Sequence, residues 1–263
     1  MTDTRTAEEL ARRLPLGRGV RVMAAGPGGL VALEKPAGIL THPNRDGAHH
    51  TALLNAPYDF ERECFHWTTG AAGEPGTLYL LNRLDSPTSG LVLAALTVEA
   101  AAAGRHAFLE GRVQKTYFAL VLGHPRPEHG EWSDRLERER PGGAQAGRGV
   151  RVSARAQGGG AGRTAVTRYH CVETRTSNDA VLTLVRLEPL TGRTHQLRVQ
   201  CAARHHPIVG DATYGDFGYN RAFAKRTKCK RLFLHAAAAK IPSLHFQAES
   251  ALPEEFGAGL GAG

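Results

Sequence analysis

Short apolar runs alternate with polar turns along this chain, and the pattern predicts more strands than helices. Strands are expected at residues 30–34, 91–96, 117–122, 164–172, 180–187 and 232–240. Several of these strands follow one another without a helix between them, which is typical of an α+β fold. We therefore expect a mostly antiparallel mixed sheet with flanking helices.

Three helices are predicted from the signals at their ends. Thr6 precedes Glu9 by three positions, which is the spacing of a capping box at the start of a short helix. Thr97 can cap a longer helix, which Gly111 would terminate. A third helix is expected over residues 194–204.

The segments without periodicity suggest the domain boundaries. Residues 1–29 are expected to form an N-terminal extension, residues 30–250 one domain, and residues 251–263 a flexible tail. Within the domain, residues 140–163 are rich in Gly and Arg and predict a basic loop. This loop is either an arginine arm for phosphates or a solvated insertion, and the sequence leaves both interpretations open.

The charge of the chain favours an acidic partner. It has 33 basic and 25 acidic residues, a net charge of +8 and a pI of about 9.6. A polyphosphate backbone commonly binds such a protein, although a basic enzyme unrelated to nucleic acids could have the same composition. Aromatic residues make up only 6% of the chain, so a broad aromatic stacking platform is not expected.

The sequence lacks the motifs of several other protein classes. It contains no HExxH, no Walker motif and no Gly-x-Ser-x-Gly, so no metal and no nucleotide cofactor are expected. It has no signal peptide and no run of 18 apolar residues, and a cytoplasmic protein without membrane contact is expected. Four well-separated cysteines form no CxxC pair and are expected to be reduced: Cys64, Cys171, Cys201 and Cys229.

The first segment that could carry chemistry is Leu81-Asn82-Arg83-Leu84-Asp85-Ser86-Pro87-Thr88-Ser89-Gly90. It presents Asp85 on a tight loop just before the strand predicted at residues 91–96, and Arg83 adds a cation nearby. Taken alone, the segment also fits an Asx turn, in which Asp85 would bond to its own backbone.

The second such segment is Leu190-Thr191-Gly192-Arg193-Thr194-His195-Gln196-Leu197-Arg198. A helix N-terminus with guanidinium groups can bind an anion, either a phosphate or a catalytic carboxylate. An exposed basic helix end is the alternative interpretation. The glycine-punctuated loop that follows, residues 206–215, contains a histidine but no second ligand pair at metal spacing.

Together these segments resemble the RluA-type pseudouridine synthases over about residues 30–245. The catalytic signature of that family, approximately His-Arg-Leu-Asp-x-x-Thr-Ser-Gly-Leu, stands here as Asn82-Arg83-Leu84-Asp85-Ser86-Pro87-Thr88-Ser89-Gly90-Leu91. The further matching blocks, in family order, are Glu34-Lys35-Pro36-Ala37-Gly38, Gln114-Lys115-Thr116-Tyr117-Phe118-Ala119-Leu120-Val121, Gly192-Arg193-Thr194-His195-Gln196-Leu197-Arg198, His206-Pro207-Ile208-Val209-Gly210-Asp211 and Leu234-His235-Ala236.

The resemblance implies a pseudouridine synthase catalytic fold with a central cleft, acting as a monomer on tRNA or rRNA without a cofactor. It implies that Asp85 attacks the sugar C1′ of a uridine and that Arg193 pairs with Asp85 and favours its charged form. Tyr117 would lie against the target base, where its ring could stack on the base or its hydroxyl could help to remove the C5 proton. Arg83 would fill the place of the flipped-out base. The basic residues that could hold RNA phosphates are Arg198, Arg204, Lys225, Arg226, Lys228, Lys230 and Arg231. Residues 225–231 are the best candidate patch, and a solvated charge run is the alternative interpretation of them.

One position departs from the family signature, and two rival functions remain. Asn82 stands where the family often has His, so the contacts of this loop are expected to differ while the nucleophile is unchanged. The run Gly215-Asp216-Phe217-x-x-Asn220-Arg221 is most similar to the TruC-like branch, which modifies tRNA. The rivals are a non-catalytic RNA-binding protein on the same scaffold and a glycosidase-like hydrolase, which would need a second carboxylate.

Overall fold

Strands outnumber helices in the computed structural model, which describes residues 6–44, 49–68, 74–138, 152–155, 162–177 and 180–260. The strands are β1 (Arg21–Ala25), β2 (Leu30–Lys35), β3 (Tyr58–Asp59), β4 (Cys64–Trp67), β5 (Gly76–Leu80), β6 (Ser89–Ala95), β7 (Gln114–Leu122), β8 (His129–Arg138), β9 (Val152–Arg155), β10 (Arg163–Ser177), β11 (Ala180–Pro189), β12 (Leu234–Ile241) and β13 (Phe246–Glu249). The α-helices are α1 (Ala7–Arg13), α2 (Val98–Leu109), α3 (Gln196–Ala203), α4 (Phe217–Thr227) and α5 (Glu254–Leu260), and short 3-10 turns occupy Pro27–Gly29, His49–Thr51 and Pro242–Leu244. The predicted α+β class is confirmed.

The chain divides into two compact units, and the first comprises Met1–Lys115 and His235–Ala251. Strands β3, β4, β5 and β6 are neighbours in that order, β2 pairs with β1 and β6, and β13 pairs with β12. These pairs are antiparallel, whereas β6 and β12 pair in parallel. Every residue of β6 is buried, so the loop that leads into it is attached to the centre of this unit.

The core of the first unit lies between the sheet and helix α2. Leu93 of β6, Ala101 of α2 and Phe246 of β13 belong to one apolar cluster, and each is 3% exposed or less. Thr97 caps α2 as predicted, because its hydroxyl accepts the N–H of Ala100 at 3.2 Å. This packing fixes β2 and β6, the two strands from which the candidate site is built.

The second unit comprises Thr116–Leu234 and Leu252–Gly263. Its strands form an antiparallel series in the order β7, β11, β10, β8 and β9. Apolar side chains from β7, β11, α3, α4 and α5 fill one core, among them Leu120, Leu187, Cys201, Phe223 and Phe256. No helix among the described residues is long and apolar enough to cross a membrane.

The structure differs from the sequence prediction at the C-terminus and around residues 129–138. Part of the segment expected to be a flexible tail is helix α5, because Phe256 is fully buried in the core of the second unit and orders the residues beside it. Strand β8 was not predicted. Its inward positions include Asp134, a polar residue that interrupts the expected alternation of apolar side chains.

Candidate active site

The loop that carries Asp85 is attached at its entry to the buried strand β6. We name residues 82–90 the Asp85 loop. The N–H of Leu81 donates to the carbonyl of Leu93 at 3.0 Å, and Oδ1 of Asn82 accepts the N–H of Leu93 at 2.7 Å. Asn82, the departure from the family signature, therefore holds the entry of the loop through its side-chain amide.

Leu84 precedes Asp85, and one side chain binds both of its main-chain polar groups. The hydroxyl of Thr41 donates to the carbonyl of Leu84 at 2.8 Å and accepts the N–H of Leu84 at 3.1 Å. Thr41 is only 4% exposed, so water competes little for these two hydrogen bonds. The peptide that leads into Asp85 is therefore held in one position.

Ser86 follows Asp85 and is held by the buried ammonium of Lys35. Lys35 is fully enclosed, and its Nζ donates to the carbonyls of Pro36 (3.0 Å), Ile39 (2.7 Å) and Ser86 (3.0 Å). The N–H of Gly38 donates to the same Ser86 carbonyl at 2.8 Å. Because a buried charge is stable only with such partners, Lys35 ties the Asp85 loop to the turn after β2.

The turn at Asp85 is closed by main-chain atoms. The N–H of Thr88 donates to the carbonyl of Asp85 at 3.0 Å, so turn closure does not require the carboxylate. Gly90 has a φ of +109°, and a Cβ there would collide with the main chain of Ala236, so only glycine fits. The half-buried Asp85 thus lies between neighbours whose backbones are immobilised.

Arg83 lies at the surface of the first unit. Its side chain is 60% exposed and forms an ion pair with Glu63 at 3.5 Å, and Glu63 is itself 47% exposed. Exposed pairs of this kind contribute only about 0–1 kcal/mol, so Arg83 can leave Glu63 at small cost.

In the second unit, Gln196 organises the segment that contains Arg193. Gln196 is 4% exposed, and its Oε1 accepts the N–H of Arg193 at 3.0 Å and the hydroxyl of Thr191 at 2.7 Å. The half-buried side chain of Arg193 donates from Nε to the carbonyl of Thr164 at 3.0 Å. Helix α3 begins at Gln196, two residues later than predicted, because His195 has a left-handed backbone with φ +54°.

Arg198 forms a buried ion pair with Asp211. Their side chains are 5% and 1% exposed, and Nε and Nη2 of Arg198 donate to the two carboxylate oxygens at 2.7 and 2.8 Å. Asp211 also accepts the N–H groups of Thr213 and Tyr214. Burial opposes ionisation of Asp211, but these hydrogen bonds and the charge of Arg198 outweigh it, so the pKa of Asp211 lies below its ordinary value.

Tyr117 and the basic residues near α4 also belong to the second unit. Tyr117 is half-buried on β7, opposite Leu187 of β11. The side chain of Arg231 is 12% exposed, contacts Glu255 at 3.7 Å, and burial lowers its pKa. Of the predicted phosphate contacts, Arg198, Arg204 and Arg231 form ion pairs with acidic side chains, whereas four residues have exposed side chains: Lys225, Arg226, Lys228 and Lys230.

The basic loop predicted over residues 140–163 lies largely outside the described residues. Within it, Val152–Arg155 forms strand β9, and Arg163 begins β10. The hydroxyl of Tyr214 accepts the N–H of Val152 at 2.9 Å and also lies 2.9 Å from Nδ1 of His195. Tyr214 therefore connects β9 to the segment that contains Arg193. Across the described ranges, no three His, Cys, Asp or Glu side chains cluster as metal ligands would, and all four cysteines are free thiols.

Comparisons with known proteins relate this geometry to a family. The sequence model of the RNA pseudouridylate synthase family matches residues 29–203. The chain is 32% identical to the tRNA pseudouridine synthase C of Vibrio cholerae serotype O1 over 79% of this chain and 80% of the relative. It is 35% identical to the protein of the same name from Pasteurella multocida, over 79% of each chain.

This chain belongs to the RNA pseudouridylate synthase family. A solved structure, human RNA pseudouridylate synthase domain containing 1, superposes with a TM-score of 0.64 and 25% identity, over 91% of this chain and 85% of the human one. The chain is accordingly an RNA pseudouridine synthase, an isomerase that converts uridine in RNA to pseudouridine. The resemblance noted from the sequence blocks is confirmed.

The sequence blocks of this pseudouridine synthase include several residues for which the sequence alone predicted no role. Lys35, Gln196 and His235 each bind a loop that carries a candidate site residue, and Asp211 binds Arg198 of helix α3. A lysine or histidine within an otherwise apolar run was the available signal, because such a residue is expected to be buried with partners. Thr41 gave no signal of this kind, since hydroxyl residues are common in loops.

Proposed function

We propose that this pseudouridine synthase modifies a uridine in tRNA and uses Asp85 as its covalent nucleophile. The tRNA substrate is supported by the similarity to bacterial proteins named tRNA pseudouridine synthase C. The observation that carries the role of Asp85 is the fixation of both neighbouring residues by Thr41 and Lys35. A reacting carboxylate gains rate from such fixation, because its attack then needs no further ordering.

In the proposed reaction, the Asp85 carboxylate attacks C1′ of the target ribose, and the bond between C1′ and N1 of uracil breaks. The detached base rotates, C5 bonds to C1′ and the bond to Asp85 breaks. C5 then loses its proton, and N1, which no longer binds the sugar, takes up a proton. Atoms and electrons balance without an oxidant or an energy source. The uridine must leave its stack first, at a cost of about a few kcal/mol.

An arginine guanidinium is proposed to pair with Asp85 and favour its ionised form. Arg193 is the candidate predicted from the sequence, and its Nε donates to the carbonyl of Thr164. Arg198 is the second candidate, and its rigid attachment to Asp211 favours it. The variants Arg193→Gln and Arg198→Lys distinguish them, because only the partner of Asp85 should show a large loss of kcat in a folded protein.

Tyr117 is proposed to lie against the target base, and Arg83 to fill the place that the flipped base leaves. The proposed phosphate contacts are the four exposed cations near the end of α4: Lys225, Arg226, Lys228 and Lys230. The protein is proposed to act as a monomer in the cytoplasm, which suits its free cysteines.

The test is to incubate the enzyme with tRNA and rRNA from a strain that lacks this gene and to map pseudouridine at each site. We expect one or a few sites in tRNA, and Asp85→Asn should lower the rate by roughly 10⁴-fold or more, as loss of a covalent nucleophile does. Asp59→Asn is the matched control, since Asp59 is a carboxylate of the first unit that lies outside the Asp85 loop.

Each alternative result has a definite meaning. Full activity of Asp85→Asn would exclude Asp85 as the nucleophile. Pseudouridine formed only in rRNA would exclude tRNA as the substrate. RNA binding by the wild type without any modification would leave the non-catalytic scaffold protein as the remaining explanation.

A further inference from the structure

A chain of buried polar side chains lies behind the exit of the Asp85 loop, within the first unit. Ser89, His235 and Ser250 are 4%, 0% and 5% exposed. The hydroxyl of Ser89 lies 2.8 Å from Nδ1 of His235, and the hydroxyl of Ser250 lies 3.0 Å from Nε2. Ser250 also bonds Oε1 of Glu34, whose other oxygen accepts from Nε of Arg21 at 2.7 Å.

For a neutral imidazole at His235, the chemistry of these groups gives the series of hydrogen bonds one direction. The Glu34 carboxylate, which accepts from Arg21, can only accept, so the Ser250 hydroxyl donates to it and receives the N–H at Nε2 of His235. In the neutral imidazole Nδ1 is then an acceptor, and Ser89 donates to it. His235 therefore fixes both the position of the Ser89 hydroxyl and the direction of its proton.

Ser89 is connected to Asp85 by only three residues. It begins β6, where it lies opposite His235 in the parallel pair with β12. Thr88, its neighbour, closes the turn onto the carbonyl of Asp85. Lys35 holds the other side of the same turn, and Lys35 is adjacent to Glu34 on β2. Strand β2 therefore holds the turn in two ways: Lys35 binds the Ser86 carbonyl directly, and Glu34 is linked to Ser89 through Ser250 and His235.

We propose that His235 is a positioning residue for the Asp85 nucleophile, acting through its Nδ1 contact with Ser89. The contact of Nε2 with Ser250 serves to keep His235 in the required tautomer. This inference rests on the proposed function, because it assumes that Asp85 is the reacting group. It assigns a task to a fully buried histidine that the reaction itself does not use.

The contacts of Nδ1 and Nε2 of His235 can be tested separately by a pair of variants. Asn places an oxygen near the position of Nδ1, so His235→Asn can still accept from Ser89. Gln reaches the position of Nε2, so His235→Gln can bond Ser250 but leaves Ser89 without its acceptor. We expect His235→Asn to keep a kcat close to that of the wild type. In His235→Gln kcat should fall on the order of 10- to 100-fold, the loss that follows a displacement of about 1 Å.

Further readouts separate positioning from general destabilisation. RNA binding affinity and KM should be unchanged in both variants, and their melting temperatures should fall by similar amounts, since each loses one buried contact. Thr183→Val is the matched control: it removes a buried hydroxyl, bonded to the Gly123 carbonyl at 2.7 Å, from the second unit. It should lower the melting temperature without changing kcat.

Equal kcat values for the two histidine variants, at equal stability, would overturn the proposal. So would a larger loss in His235→Asn than in His235→Gln. These failures are distinct from failure of the proposed function, because Asp85→Asn is measured in the same assay. If Asp85→Asn is inactive and the histidine variants are equal, only the positioning role of His235 is wrong.

Discussion

The Asp85 loop, which is proposed to carry the nucleophile, and the exposed cations near the end of α4, which are proposed to bind RNA, differ in how their side chains are held. The loop is held by enclosed side chains, of which Thr41 and Lys35 are at most 4% exposed. The cations are long exposed side chains at a helix end, where nothing comparable encloses them. A nucleophile must meet one atom at one angle, whereas a phosphate can be reached from many rotamers. The difference predicts stability and kcat effects in the first region and affinity effects in the second.

Gly90→Ala should cause the largest loss of stability, because Gly90 lies against the main chain of Ala236. The new Cβ would collide with the main chain of Ala236, and the φ of +109° is itself strained for alanine. We expect a loss of about 4 kcal/mol in the free energy of unfolding from these two effects. Chemical denaturation measures it.

Gly28→Ala is the matched control for that measurement. Gly28 has a φ of +71°, but no atom lies within 4 Å of a Cβ built there. Only the backbone strain remains, which costs about 1–2 kcal/mol. Similar losses in the two variants would show that the approach of Ala236 is not tight.

Lys35→Met should have the next largest effect, because it leaves the carbonyls of Pro36, Ile39 and Ser86 without the ammonium. At about 1 kcal/mol for each lost partner, we expect roughly 3 kcal/mol less stability. The Ser86 carbonyl would keep only its hydrogen bond from the Gly38 N–H, so the Asp85 loop should be held less firmly and kcat should fall by about 100-fold in the protein that remains folded. A folded Lys35→Met with unchanged kcat would contradict the idea that enclosed contacts set the reactivity of Asp85.

The enclosed pair Arg198–Asp211 extends the comparison to pH. Because the folded pKa of Asp211 is lowered, its ion pair adds stability above the ordinary aspartate pKa and loses it as pH falls toward the folded pKa. Melting temperatures between about pH 6 and pH 3 should therefore fall more steeply for the wild type than for Asp211→Asn. The variant should be less stable than the wild type at neutral pH. Parallel curves would show that Asp211 does not contribute to acid unfolding.

The smallest effect on stability should come from replacing the four exposed cations with Gln: Lys225, Arg226, Lys228 and Lys230. Stability and kcat at saturating RNA should be unchanged, whereas RNA affinity should fall. The slope of log affinity against log salt should fall by about 3, at roughly 0.7 for each lost contact. The control replaces four exposed cations of the first unit with Gln, namely Arg12, Arg18, Arg112 and Lys240. If both sets change the slope equally, the cations near α4 have no special role.

The elements that could be predicted from the sequence are those with strong local signals. The cap at Thr97 and the apolar run after Gly90 identified α2 and β6 closely. Helix α4 was missed because only Tyr219 and Phe223 pack its inner face against the core, too few to show helical periodicity. Helix α5 was missed because burial of Phe256 outweighs the low helix propensity of its glycines.

The candidate site divides in the same way. Asp85 could be predicted as the nucleophile because its neighbours form a contiguous block, whereas the residues that hold its loop, at positions 35, 41 and 235, are distant in sequence. Short motifs do not encode hydrogen bonds between distant segments. The sequence also could not show that the main-chain carbonyl of Asp85 accepts the N–H of Thr88.

The surface pair of Arg83 and Glu63 has a consequence for how substrate and enzyme meet. If Arg83 enters the RNA stack, it must first exchange a carboxylate for the bases and phosphates of the substrate. Since Glu63 holds Arg83 weakly, the exchange costs little free energy, and Arg83 can move into the RNA readily. The energetic barrier to opening the RNA then lies in the RNA, so loosely stacked uridines should be captured fastest.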